Sequence, residues 1–311
     1  MTGATTKVLY IAGVSRSGTT LLGMLLGQID GWFDGGELRR LWRRGIVEHN
    51  RCGCGEVVSA CPEWLKIGDL AFGGFDAVDV DAMLAADARL FRSRYLPLDL
   101  VRGVRSRRLE QERHYRTTLS RLYGGIAEAT SSDVVVDSSK HPTYGAMLRS
   151  LPNLDVHTVH VIRDPRGVTH SRRQVRINPA SGDAMGGVHP FASMYMWNLG
   201  NAAIERMLRY EGRYLQLRYE DFVAAPAEAL ERIAAFVNAT TDGPSSVDLH
   251  GRTVNLRPTH SVSGNPMRFT AGPIEIRRDE RWRTDLPTST AMAVKLLTGP
   301  VAMRYGQIWR R

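Results

Sequence analysis

Val8-Leu9-Tyr10-Ile11-Ala12-Gly13-Val14-Ser15-Arg16-Ser17-Gly18-Thr19-Thr20 is the stretch that decides the fold. Its first five residues are all apolar, as expected of a strand buried on both faces in a parallel sheet. The run stops at Gly13. Beyond Gly18 the leucines at 21, 22, 25 and 26 fall at helical spacing, so a helix starts near Thr19. The two glycines frame a loop whose backbone can curl until successive N–H groups and the helix N-terminus face one anion. Thr19 stands where the P-loop of an NTPase carries lysine, and the cation lies inside the loop, at Arg16. That is a poor grip for β- and γ-phosphates with magnesium. It suits a single phosphate whose bridging oxygen departs.

Working outward, residues 134–136 read as a second strand ending at Asp137, and 156–162 as a third ending at Arg163. Residues 214–219 read as a fourth, ending at Glu220-Asp221. Helical segments follow several of these, one opening at Pro226 with Leu230, Ile233 and Phe236 on one face. Strands alternating with helices predict an α/β fold, a P-loop-type parallel sheet flanked by helices. The first and second strands are about a hundred residues apart, far beyond an ordinary loop. Within that interval 82–96 and 105–129 look helical, which gives a helical insertion over about 40–130, after the first βα unit. Residues 175–190 and 238–280 are rich in Gly, Pro, Ser and Asn and read as long ordered loops or lids, and 1–311 reads as one domain. Ligands of such sheets bind outside the carboxyl ends of the strands. Residues 15–20, 137–140, 163–166 and 219–221 all fall there, so one site is expected.

Composition narrows the partners. Of 41 basic residues 37 are arginine, and the formal net charge is +9. Arginine's planar fork favours phosphate-like ligands, although a genome that prefers arginine codons explains the bias equally well. The arginines are scattered and no nucleic-acid-binding motif is visible, so nucleic acid is not an expected partner. No signal peptide and no transmembrane segment is visible, and three cysteines that cannot all pair favour a cytoplasmic setting.

Val161-Ile162-Arg163-Asp164-Pro165-Arg166-Gly167-Val168-Thr169-His170-Ser171 supplies a second anchor. Arg163 ends a strand, and Ser171 falls about two turns into the next helix, so both can reach one phosphate. Together, Ser15 to Leu21 and this segment resemble the sulfotransferases that use 3′-phosphoadenosine 5′-phosphosulfate (PAPS), especially their carbohydrate, tyrosylprotein and bacterial branches. The likeness extends over residues 7–40 and 134–285. It implies that Ser15, Arg16, Ser17, Gly18, Thr19 and Thr20 hold the 5′-phosphosulfate, while Arg163 and Ser171 hold the 3′-phosphate. Leu217-Arg218-Tyr219-Glu220-Asp221-Phe222 is similar to the family segment whose tyrosine lies against the adenine, a role that passes to Tyr219. His260-Ser261-Val262-Ser263-Gly264-Asn265-Pro266-Met267-Arg268 resembles a late loop that folds over the nucleotide, with Arg268 as a second charge for the 3′-phosphate or simply a solvated arginine.

Sulfuryl transfer needs an in-line acceptor oxygen, a base and positive charge on the departing phosphate. Arg16 and Lys140, the latter closing Asp137-Ser138-Ser139-Lys140, are expected on the leaving-group side. Glu37, in Gly35-Gly36-Glu37-Leu38, resembles the glutamate base of tyrosylprotein and related sulfotransferases; His141 and His170 are the alternatives. The implied reaction is transfer from PAPS to a hydroxyl of a small-molecule, sugar or glycolipid acceptor, releasing PAP with no metal. A P-loop kinase or a non-catalytic PAP-binding protein are the competing expectations. His49, Cys52, Cys54 and Cys61 invite comparison with a zinc site, but Cys-x-Cys is not the usual spacing and no second pair follows. Packing is the first expectation for these cysteines, with a disulfide or zinc behind it. The helical insertion and 175–190 are expected to form the acceptor pocket, with Trp32, Phe33, Trp42 and Trp64 as wall or core.

Overall fold

The computed structural model describes residues 5–177, 182, 184–238 and 246–306. Its centre is a five-stranded sheet of β1 (Thr6–Ala12), β2 (Trp32–Asp34), β3 (Val134–Lys140), β4 (Leu154–Ile162) and β5 (Tyr214–Arg218), in the order β2-β3-β1-β4-β5. Every neighbouring pair is parallel. β1 therefore sits in the middle, with Leu9 opposite Val136 on one side and His157 on the other. β2 joins the edge and is too short to show a period. Helices cover both faces, as expected of an all-parallel sheet.

Side chains alternate across a strand, so β1 feeds two cores. Val8, Tyr10 and Ala12 enter a core shared with the insertion helices, among them Trp64, Leu119 and Ile126. Leu9 and Ile11 pack with Leu22, Leu25, Val134, Val161, Leu230 and Ile233 on the other face. The helix Pro226–Val237 buries the Leu230 and Ile233 stripe, while Phe236 lies edge-on to His157. The insertion is helical, at Pro62–Phe72, Val80–Leu90, Arg102–Gln111 and Arg113–Thr130. The single helix expected over 105–129 is broken at Glu112, whose carboxylate turns back to pair with Arg89. The helix Pro62–Phe72 was not anticipated; Trp64 and Ile67 face inward on it.

Residues 238–280 are not only loop. Leu249–His250, Thr253–Leu256 and Gly272–Glu275 form a small antiparallel sheet, whose Val254 and Leu256 pack onto the second core. Of the expected loop 175–190, residues 178–181 and 183 lie outside the described residues, as do 239–245 of the later one. Among the described residues no helix is long and apolar enough to cross a membrane.

Candidate active site

At the carboxyl end of β1 the loop bends through two left-handed residues, Arg16 (φ 74°) and Gly18 (φ 90°). A Cβ on Gly18 would lie 2.5 Å from the Tyr219 ring, so only glycine lets the loop rest on that ring. Arg163, just past β4, reaches the same loop. Its Nη1 donates to the Arg16 carbonyl at 3.0 Å, and its guanidinium stacks 4.5 Å from the Tyr219 ring centroid. The loop and Arg163 are thus mechanically joined. Ser171 follows on the helix Pro165–Arg173, whose start is capped by Asp164 accepting from the Arg166 amide at 2.8 Å.

β3 brings in the lysine. The β1–β3 register shifts between Tyr10 and Ala12, and Lys140 leaves the strand at φ 68°, a conformation that a non-glycine residue rarely adopts. Its Nζ forms an ion pair with Oε1 of Glu37. Glu37 is fixed by its own amide, which donates to the Ser263 carbonyl at 3.1 Å, while Ser138 N donates to the Gly36 carbonyl at 2.7 Å. Burial pushes the Glu37 carboxyl up, but Lys140, Arg40 and Arg39 outweigh it and hold the pKa below the ordinary value. Glu37 is therefore ionised at neutral pH.

Two buried acids support this arrangement. Asp34, at the end of β2, accepts from the Gly36 amide at 3.0 Å and from the Thr259 hydroxyl at 3.3 Å. Asp137 accepts from the Ser139 amide and hydroxyl and from the Tyr123 hydroxyl. Burial raises each to about 6 against the partial relief of those bonds. A carboxyl whose pKa rises on folding holds its proton more tightly when folded. Its stabilising effect is complete below the unfolded pKa and is lost as pH rises through about 6. From 3.8 to about 6 this corresponds to ~3 kcal/mol for Asp34. Asp34→Asn should flatten the pH dependence of the unfolding free energy between pH 4 and 7, measured by urea denaturation; an unchanged slope would contradict this assignment.

Ser15, Arg16, Gly18, Thr19, Thr20, Glu37, Lys140, Arg163, Ser171 and Tyr219 all line one cavity of about 550 Å³. That lies within the usual size of a small-ligand pocket. Ser17 and Arg268 do not line it. The Ser17 hydroxyl is buried below the loop. Arg268 is neither a cavity charge nor solvated. It is 4% exposed, and its two terminal nitrogens donate to the carbonyls of Ser261 and Arg51, both at 2.6 Å. Of the alternative bases, His141 is sealed under Phe91, where burial and then Arg39, Arg40 and Arg108 lower it to about 3. His170 turns away toward Gln174 and Asp285. Neither lines the cavity.

The sequence did not single out Arg172, Arg277, Asp279 and Arg281, which complete the wall. Asp279 pairs with Arg163 at 3.1 Å and with Arg281 at 2.8 Å, and these bonds, Arg281's foremost, hold its carboxyl far below the usual range despite burial. The visible signal was the run Arg277-Arg278…Arg281, directly after the strand Gly272–Glu275.

A family model described as "Sulfotransferase family" matches residues 9–243. Among solved structures the chain resembles a sulfotransferase domain from the curacin biosynthetic pathway, with a TM-score of 0.53 and 18% identity over 97% of this chain and 99% of that one. It also resembles a sulfotransferase domain from the Synechococcus PCC 7002 olefin synthase, with a TM-score of 0.52 and 18% identity over 96% of both chains. No curated protein matches the sequence. The structural likenesses carry the fold, and the family model, which spans well over half the chain, carries membership: this protein belongs to the sulfotransferase family.

Proposed function

We propose that the protein transfers the sulfuryl group of PAPS to a hydroxyl of a small-molecule, sugar or glycolipid acceptor, in line and with Glu37 as base. One observation carries this reading: the anion loop, the Arg163–Ser171 pair and the Glu37–Lys140 pair share one cavity. The acceptor oxygen attacks sulfur as the bond from sulfur to the bridging phosphate oxygen breaks. The acceptor proton goes to the Glu37 carboxylate, and PAP leaves with the bonding electrons. Loop N–H groups, Arg16 and Lys140 offset the charge that grows on the 5′-phosphate. Arg163 and Ser171 hold the 3′-phosphate, with Tyr219 beside the adenine. The acceptor would approach from the side of the helical insertion and residues 175–190.

The resting Glu37–Lys140 pair suits this sequence of events. While paired, the carboxylate is a weak base. When the donor phosphate draws Lys140 away, the partly buried carboxylate loses its closest counter-charge and becomes more basic as the acceptor binds. A phosphate-directed kinase would want a lysine at Thr19, and the cavity's cations lie elsewhere.

Calorimetric titration separates the readings. PAP should bind, and ADP, lacking the 3′-phosphate, should bind at least about tenfold more weakly, the cost of one charge-assisted contact. Arg163→Ala should weaken PAP by about 10–100-fold and ADP by less, through the loop that Arg163 braces at the Arg16 carbonyl. Equal affinity for both nucleotides, or magnesium-dependent binding of ATP alone, would overturn the proposal.

A further inference from the structure

Cys52, Cys54 and Cys61 meet a fourth side chain that sequence spacing does not single out. It is His260, about two hundred residues along, and not His49, whose ring instead bonds the Ser59 hydroxyl at 3.1 Å. The three sulfurs and a His260 ring nitrogen all lie within 4.8 Å of one another. His260 Nδ1 is 3.3 Å from Cys61 Sγ and 3.8 Å from Cys52 Sγ, and Cys54 Sγ is 3.7 Å from Cys61 Sγ. A tetrahedral zinc with Zn–S near 2.3 Å and Zn–N near 2.05 Å has S···S edges of about 3.8 Å and S···N edges of about 3.6 Å. The two S···N distances bracket the second value, the Cys54–Cys61 distance matches the first, and the remaining pairs lie within 4.8 Å. A disulfide would need the sulfurs about 2.05 Å apart.

We propose that these four residues form a structural zinc site, closed by Cys₃His ligation and separate from the donor cavity, which none of them lines. Three thiolates and one imidazole are the soft donor set that selects zinc, and four protein ligands leave no open position for chemistry. Binding releases up to three thiol protons to solvent.

Two surrounding features fit a thiolate centre. The Cys54 amide is directed at the Cys52 sulfur, and the Glu63 and Trp64 amides, in the first turn of the helix Pro62–Phe72, at that of Cys61. Such N–H groups are the usual outer support of metal-bound thiolates. Second, buried Arg268 bonds only backbone carbonyls through its terminal nitrogens and makes no ion pair among the described residues. A zinc with three thiolates carries one net negative charge and would add to the counter-charge that Glu37 and Asp34 give this guanidinium from further off.

The backbone is shaped around the cluster. A Cβ on Gly53 would come within 2.5 Å of the Thr259 carbonyl, and Gly53 N donates to Ser261 O at 2.9 Å. The Trp64 indole donates to the His260 carbonyl at 2.9 Å, and Phe33 stacks on the His260 ring. The metal would thereby pin the 259–263 loop to the insertion. The same loop accepts the Glu37 amide at Ser263.

The test is the metal content of the full chain, purified without chelator from zinc-supplemented culture and measured by plasma mass spectrometry. About one zinc per chain is expected, falling to near zero in Cys61→Ser and His260→Ala and retained in His260→Cys, which restores a fourth ligand. Cobalt substitution should give thiolate-to-metal charge-transfer bands and the intense visible bands of a tetrahedral site. These wild-type measurements stand even if a variant fails to fold. Folded protein that takes up no zinc, a Cys54–Cys61 disulfide found by peptide mapping, or zinc that persists undiminished in both ligand-loss variants would overturn the proposal.

Discussion

Glu37→Gln, close in shape but unable to take a proton, should lower kcat by about 10²–10⁴-fold, the usual worth of a positioned general base. PAP affinity should be kept or tightened, because the lost carboxylate is the anion that occupies Lys140 in the resting site. The pH profile adds an independent sign. In the free protein Lys140, Arg40 and Arg39 hold Glu37 below its ordinary value against burial. The acid limb of kcat/KM should therefore lie at or below the ordinary carboxylate range, with activity lost as pH falls through it. If Lys140 turns to the nucleotide in the donor complex, as proposed, the acid limb of kcat should sit at higher pH. Steady-state rates with an acceptor found by screening supply both limbs. A glutamine variant that turns over at the wild-type rate would remove Glu37 from the chemistry.

Much of this site is legible in the sequence because it is built at strand ends. Ser15 to Thr20, Lys140, Arg163 and Tyr219 each lie at or just beyond the carboxyl end of a strand, and a parallel sheet gathers such ends at one edge. β2 escapes notice because three residues cannot show a period. Arg268 was misplaced for a different reason. Within its segment it resembles a nucleotide contact, yet its orientation is decided by carbonyls of Arg51 and Ser261, one of them in a distant segment. Asp279 and Arg281 follow a strand that only exists once the small antiparallel sheet has folded onto the second core. His260 meets the cysteines only through tertiary packing, so no spacing motif announces the cluster. Local chain chemistry marks the anchors; packing between distant segments selects the residues that complete them.

Lys140→Met should lower kcat by about 10²–10³-fold, comparable to removing one preorganised donor from a developing oxyanion. Methionine keeps most of the stem volume, and the left-handed backbone at Lys140 is set by the bulge at the end of β3, so the fold should survive. The loss has two parts. The leaving phosphate forfeits a cation, and Glu37, partly buried and without its nearest counter-charge, rises in pKa. The second part moves the acid limb of kcat/KM upward, toward where the wild-type kcat limb lies. If the Glu37–Lys140 pair acts as one coupled unit, the double variant Glu37→Gln/Lys140→Met should be nearly as active as the slower single variant, not slower by the product of the two losses. Multiplicative losses would mean that the ion pair is only a resting contact and that the two side chains stabilise the transition state independently. A kcat loss confined to Lys140→Met, with Glu37→Gln fully active, would keep the charge-stabilising half of the mechanism and reassign the base to the acceptor's own surroundings.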